Sequence, residues 1–128
     1  MTRASRARGN RTELVVAKFL TDHDVFGGKV ITTRQAMAGV RRGDDLCFKD
    51  GTPLPVSIEV KGTRQQQPDP AWLVQAATNA QGRPWVVIWR PQDGPVGRSW
   101  VIEGTPDDFT LRWLGQWVRQ PVWVEVPT

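Results

Sequence analysis

The chain has 128 residues, of which 39% are hydrophobic and 23% charged, and a formal net charge of +4. This length supports one domain, and the composition excludes a wholly disordered chain and a disulfide-rich scaffold. No apolar run reaches the ~18–20 residues that span a bilayer, and the basic first residues do not resemble a secretory signal. The single cysteine, Cys47, is predicted to be a buried, unreactive thiol, which fits the cytoplasm of a bacterial or phage-infected cell.

The predicted elements form an α/β fold in which helices flank a mixed β-sheet. Residues 1–9 are predicted to be a flexible basic arm, and residues 10–128 a single domain that opens with a helix ending before Asp22. The later elements are, in chain order, a strand over 25–33 interrupted by Gly27 and Gly28, a basic loop over 34–43, strands over 45–49 and 56–61, a helix over 70–81, strands over 85–89 and 99–103, a helix over 105–117 and a strand over 122–126.

The strand over 56–61 alternates between apolar and polar residues, which sets Glu59 and Lys61 side by side on one face. Asp45 opens the neighbouring strand, so two carboxylates and an ammonium are expected at one sheet edge. Mg²⁺ prefers such oxygen ligands and retains waters that a phosphate can displace, and the Val60 carbonyl is a further candidate ligand. Lys61 could position the attacking water or stabilise charge on phosphorus. The alternative is that Glu59 and Lys61 form only an ion pair.

Three segments, RGNRTELVVAKFL, RRGDDLCF and VSIEVKGTR, resemble the PD-(D/E)xK nuclease superfamily, and within it the small archaeal- and phage-type Holliday junction resolvases. The resemblance covers roughly residues 6–90. It implies a restriction-endonuclease-like core of order α-β-β-β-α-β. Asp44 stands where the family has proline, which leaves either Asp44 or Asp45 as the acidic ligand.

The same resemblance implies a set of site residues. The implied catalytic residues are Glu13, Asp45, Glu59, Lys61 and Gln75. Gln75 would orient the other groups, and the alternative is that it is an exposed glutamine of the helix. The candidate ligands of Mg²⁺, or of Mn²⁺ in its place, are Asp45, Glu59 and the Val60 carbonyl from the strand pattern, to which the resemblance adds Glu13.

Positive charge is concentrated at the front of the chain, because residues 1–42 hold nine basic and three acidic groups. Arginine outnumbers lysine thirteen to four, and its planar fork suits phosphate. The predicted DNA contacts are Arg3, Arg6, Arg8, Arg11, Arg34, Arg41 and Arg42, to which the resemblance adds Thr63 and Arg64. The alternative for the arginines is a solubility patch.

Together these features predict a metal-dependent, structure-selective DNA endonuclease, specifically a Holliday junction resolvase of recombination and repair. One chain is too small for two active sites, so a homodimer is expected, with Trp113, Leu114 and Trp117 as its candidate interface. Core or dimer packing, in preference to stacking on bases, is predicted for five tryptophans, with Trp72 left open. The five are Trp85, Trp89, Trp113, Trp117 and Trp123. Two alternatives remain, namely another repair or end-processing nuclease of the same superfamily, and a non-catalytic nucleic-acid-binding module. No membrane partner is expected.

Overall fold

The computed structural model describes residues 3–36 and 44–121, with the side chains of residues 4–6 excepted. Within these ranges, every helix is too short or too polar to cross a membrane. The elements are, in chain order, α1 (Arg3–Asp22), β1 (Val30–Thr32), α2 (Thr33–Ala36), β2 (Leu46–Phe48), β3 (Ser57–Lys61), α3 (Pro70–Ala80), β4 (Trp85–Trp89), a 3₁₀ turn (Val96–Arg98), β5 (Trp100–Thr105), β6 (Asp108–Trp113) and α4 (Leu114–Trp117).

The described strands form two sheets. Strands β1 and β2 make an antiparallel pair, while the larger sheet has the order β3-β4-β5-β6. Its first pair is parallel and the others are antiparallel. The backbone N–H of Asp45 donates to the Ile58 carbonyl at 2.9 Å, which joins the small sheet to the open edge of β3. The predicted mixed α/β class is therefore confirmed.

Helices cover both faces of the larger sheet. The Val16 and Leu20 side chains of α1 pack in one core with Ile58 of β3, whereas Leu73 of α3 packs in a second core with Val87 of β4. The alternation predicted for β3 decides which residue meets which helix. Ile58 and Val60 belong to the α1 side, so Glu59 and Lys61 lie on the α3 side.

Helix α3 follows closely the helix predicted over 70–81. Asp69 caps its first turn by accepting a hydrogen bond from the Ala71 N–H at 2.9 Å, and Pro70 occupies the first helical position, where no N–H is needed. The helix is capped at its C-terminal end by Gln81, which adopts a left-handed conformation with φ 51°.

The beginning of the chain differs from the prediction. Residues 3–9, expected to belong to a flexible arm, are the first turns of the 20-residue helix α1. Alanine and arginine both have high helix propensity, so this basic segment extends the helix without an apolar stripe of its own. The hydroxyl of Thr12 donates to the Arg8 carbonyl at 2.9 Å inside the same helix.

The predicted helix over 105–117 is wrong over residues 108–113, which form β6. The Asp108 N–H donates to the Thr105 hydroxyl at 3.1 Å across a tight turn. Thr105, where the predicted helix begins, therefore closes a hairpin between β5 and β6 instead of capping a helix. Phe109, Leu111 and Trp113 alternate at the period of a strand as well as fitting a helix. The predicted strand over 122–126 and Trp123 lie outside the described residues.

This correction also removes most of the predicted dimer interface. Leu114 and Trp117 are fully buried in the core of the chain itself, and the Trp117 indole N–H lies 3.3 Å from the Glu103 carboxylate. Only Trp113 of the three is exposed, at 37%. Cys47 is buried, which confirms the prediction made from its apolar neighbours. Trp72, which the sequence left open, is also buried.

Candidate active site

Asp45 is held against the open edge of β3 at two points. Its carboxylate oxygen Oδ2 accepts a hydrogen bond from the Val60 N–H at 2.7 Å, and its own N–H donates to the Ile58 carbonyl. Because backbone groups of successive strand residues point to opposite edges, the carbonyl of Val60 points to the same edge as its N–H. The Asp45 carboxylate and the Val60 carbonyl therefore lie on one side of β3.

Asp44 is engaged elsewhere. It is 3% exposed, and its carboxylate accepts from the Arg83 guanidinium at 3.2 Å. The Thr33 hydroxyl donates to the Asp44 carbonyl at 3.2 Å. Of the two neighbouring acids that the sequence offers, the structure brings Asp45 to the end of β3 and uses Asp44 as a buried partner of Arg83.

Glu59 and Lys61 are positioned by two residues of α3. Asn79 Nδ2 donates to Glu59 Oε1 at 2.8 Å, and Lys61 Nζ donates to Gln75 Oε1 at 3.0 Å. Four helical residues rise about 6 Å and two strand residues about 6.6 Å, so an i, i+4 pair on the helix matches an i, i+2 pair on the strand. The earlier strand residue, Glu59, bonds to the later helix residue, because α3 runs antiparallel to the parallel strands β3 and β4 that it connects.

Glu13 reaches the site from α1. Its carboxylate accepts from Arg34 at 2.7 Å. The helix can approach this closely because Gly62 follows β3. A β-carbon at Gly62 would meet the Thr12 hydroxyl and lie 2.9 Å from the Thr12 β-carbon. Gly62 thus sets the distance between α1 and the end of β3.

These side chains line one cavity of about 460 Å³. It contains all five predicted catalytic residues, the Val60 ligand candidate and three of the predicted DNA contacts. The lining residues are Arg8, Gly9, Asn10, Glu13, Asp45, Glu59, Val60, Lys61, Gly62, Thr63, Arg64, Gln65 and Gln75.

The acidic groups of the cavity repel one another in a partly buried setting. Burial, and then the charge of Glu59, raise the pKa of Asp45 to about 7, although the Val60 N–H opposes the shift. Burial also raises the pKa of Glu59, against the hydrogen bond from Asn79. For Glu13, burial and the charge of Asp45 raise the pKa, and Arg34 lowers it. A bound cation would relieve this repulsion.

The donor set fits a hard divalent cation better than a soft one. Asp45 and Glu59 supply carboxylate oxygens and Val60 a carbonyl oxygen, while histidine and cysteine contribute nothing to the cavity lining. Among residues 3–36 and 44–121, no group of three or more His, Cys, Asp and Glu side chains is arranged to hold a metal ion. Glu13 lines the same cavity as Asp45 and Glu59, and Mg²⁺ held by these residues would keep several waters.

The predicted DNA contacts are distributed unevenly. Arg8, Thr63 and Arg64 line the cavity, whereas Arg34 pairs with Glu13. Arg3 and Arg11 are exposed on α1. Arg41, Arg42 and the side chain of Arg6 lie outside the described residues.

Sequence reasoning missed Asn79 and Arg83, which orient Glu59 and Asp44. The signal for Asn79 was present, because it follows Gln75 by four residues on the predicted helix and so shares its face. Arg83 is 39 residues from its partner, and no local pattern connects them.

Comparisons with models of protein families, with curated proteins and with solved structures find no match. The fold and the geometry of this cavity are therefore what indicates a function.

Proposed function

We propose that the protein is a metal-dependent DNA endonuclease with a PD-(D/E)xK-like active site. One observation supports this above the others: Asp45, Glu59 and Lys61 line the same cavity at the end of β3. An exposed ion pair, the alternative for Glu59 and Lys61, is not favoured, because Glu59 is 2% exposed and Lys61 bonds to Gln75 instead. The restriction-endonuclease-like core is part of the same proposal.

The residues divide the chemistry among them. Asp45, Glu59 and the Val60 carbonyl would hold Mg²⁺, and the ion would supply the positive charge that polarises a phosphodiester and lowers the pKa of a water molecule. Lys61, held by Gln75, aims its ammonium into the cavity, where it orients the water or neutralises charge that develops on the phosphate. Arg8 and Arg64 bind the phosphates on either side. The water oxygen bonds to phosphorus and loses a proton to solvent, while the bond to the 3′ oxygen breaks and that oxygen takes up a proton. The products are a 5′-phosphate and a 3′-hydroxyl.

The proposed substrate is a four-way DNA junction, cut by a homodimer whose two active sites face opposed strands. The support is the resemblance of the three sequence segments, since the fold alone does not choose a substrate. Another repair or end-processing nuclease would use the same residues on a different DNA structure. The remaining alternative is a module that binds nucleic acid without cleaving it. The arginine-rich helix α1 is compatible with this alternative as well.

The test compares a labelled four-way junction with a duplex of matched sequence, in Mg²⁺, in Mn²⁺ and in EDTA. We expect paired nicks in the junction that require the metal and disappear in Glu59→Gln, which keeps the acceptor for Asn79. Lys49→Gln, an exposed charge outside the cavity, is the matched control and should cleave normally. Equal cleavage of both substrates would discard the junction and keep the nuclease. Binding without cleavage in either metal would contradict the proposal and favour a binding module.

A further inference from the structure

A second cavity, of about 650 Å³, adjoins the candidate active site. Arg64 and Gln65 line both cavities, so the two share a wall built from the loop after β3. The rest of the lining combines aromatic rings with amides. The lining residues are Arg64, Gln65, Gln66, Trp89, Pro91, Gln92, Asp93 and Trp100.

Trp100, which lines this cavity, belongs to an aromatic pair. Trp100 and Trp113 are directly opposed on β5 and β6, and their rings stack with centroids 3.9 Å apart and planes 19° from parallel. Trp113 is 37% exposed, which is unusual for so large an apolar side chain. A further depression of about 320 Å³ is lined by both indoles together with Arg90 and Arg98. The indole pair is therefore accessible between two concave surfaces.

Charge favours a polyanion as the occupant. Arg64 and Arg98 are exposed, and neither belongs to any of the five ion pairs among the described residues. The single acid of the two linings, Asp93, lies 4.0 Å from Arg90. Gln65, Gln66 and Gln92 offer amide donors and acceptors that can pair with the edges of bases.

We propose that this groove, defined by Arg64, Gln92, Arg98, Trp100 and Trp113, binds an unpaired DNA strand whose bases stack on the indole pair. The inference rests on the proposed endonuclease function. It favours a substrate with an unpaired segment beside the cleaved phosphate, which in a four-way junction requires base pairs at the crossover to open. Bases inside a duplex are already stacked and hydrogen-bonded, so only unpaired bases can use an aromatic surface in this way. Arg64 would bind the phosphate that passes from the groove into the active-site cavity.

The test measures binding in EDTA, where cleavage plays no part. A fluorescent ten-nucleotide thymidine strand and a blunt duplex of the same length are titrated with the wild-type chain and with Trp113→Ala. We expect the variant to bind the single strand about 10-fold more weakly, as the loss of one stacked base implies, with little change for the duplex. Trp113→Phe should restore most of the affinity because it keeps an aromatic face. Val74→Ala, an exposed apolar residue outside both cavities, is the control.

The other outcomes overturn the proposal. Equal weakening on both ligands, or none on either, means that the indoles do not bind unpaired bases. A wild-type dimer that Trp113→Ala dissociates, with single-strand affinity unchanged, assigns this face to a second copy of the chain. Failure of the endonuclease proposal is distinct, because a chain that shows the expected binding yet never cleaves DNA in Mg²⁺ or Mn²⁺ keeps the groove and loses only the reaction.

Discussion

The Val60 N–H lies 2.7 Å from the Asp45 carboxylate, 15 residues away in the chain. This bond holds Asp45, which directly precedes β2, against β3, the strand that carries Glu59. It also keeps Asp45 among other carboxylates, where its pKa rises to about 7. The proposed chemical role of Asp45 and the stability of the folded state are therefore opposed, and that opposition can be measured.

Asp45→Asn should abolish cleavage and stabilise the metal-free protein at pH 8. Asparagine keeps an acceptor for the Val60 N–H but removes a buried negative charge beside Glu59. We expect a gain on the order of 2 kcal/mol in the free energy of unfolding at pH 8, measured by urea denaturation in EDTA. Below pH 4, where Asp45 is protonated in both the folded and the unfolded chain, the gain should largely vanish. Asp93→Asn, at an exposed position, should change neither value, and a variant less stable than wild type at pH 8 would contradict the charge argument.

The metal-free wild-type protein should lose stability as pH rises from about 4 to 8. The pKa of Asp45 is raised from 3.8 to about 7 in the folded state, so folding favours the protonated form. That contribution is fully present below pH 4 and is lost as pH rises through 7. Mg²⁺ must displace this proton, so it should raise the Tm more at pH 8 than at pH 6. Thermal unfolding with Mg²⁺ and with EDTA at both pH values checks the sign, and an equal metal effect at the two values would contradict it.

Asn79→Ala should lower the cleavage rate about 10- to 100-fold by releasing Glu59. Loss of the amide donor leaves a buried carboxylate with one fewer hydrogen bond, which raises the pKa of Glu59 further. The pH–rate profile should therefore shift to higher pH, which a purely structural role for Asn79 would not produce. Thr78→Ala, on the exposed side of the same helix turn, serves as the control and should leave the profile unchanged.

Gly62→Ala should destabilise the protein by about 1–3 kcal/mol, because its new methyl group meets Thr12 on α1. Gly9→Ala is the matched substitution, since a β-carbon there meets nothing within 4 Å and alanine favours the helix. Thr12→Ala in the Gly62→Ala background removes the nearest clashing atom and should recover part of the loss. Urea denaturation of these three variants and of Thr12→Ala alone tests this coupling, and additive effects of Gly62→Ala and Thr12→Ala would exclude it.

Local patterns in the sequence determined much of the frame of the site. The alternation over 56–61 was sufficient to set Glu59 and Lys61 on one face, and Asp69 with Pro70 was sufficient to start α3. Such features depend on neighbours two to four residues apart, whose geometry the backbone imposes. Cys47 was likewise correctly predicted to be buried from its apolar neighbours.

Only the tertiary structure decided which of several local possibilities was realised. Residues 108–113 suit a strand or a helix, and pairing with β5 selected the strand and stacked Trp113 on Trp100. Asp44 and Asp45 are neighbouring residues of the same type, so the sequence does not distinguish them. Arg83, 39 residues from Asp44, bonds to the Asp44 carboxylate, whereas Asp45 lines the cavity. Contacts at such separations depend on how elements pack, and packing free energy belongs to the assembled fold and not to any short segment.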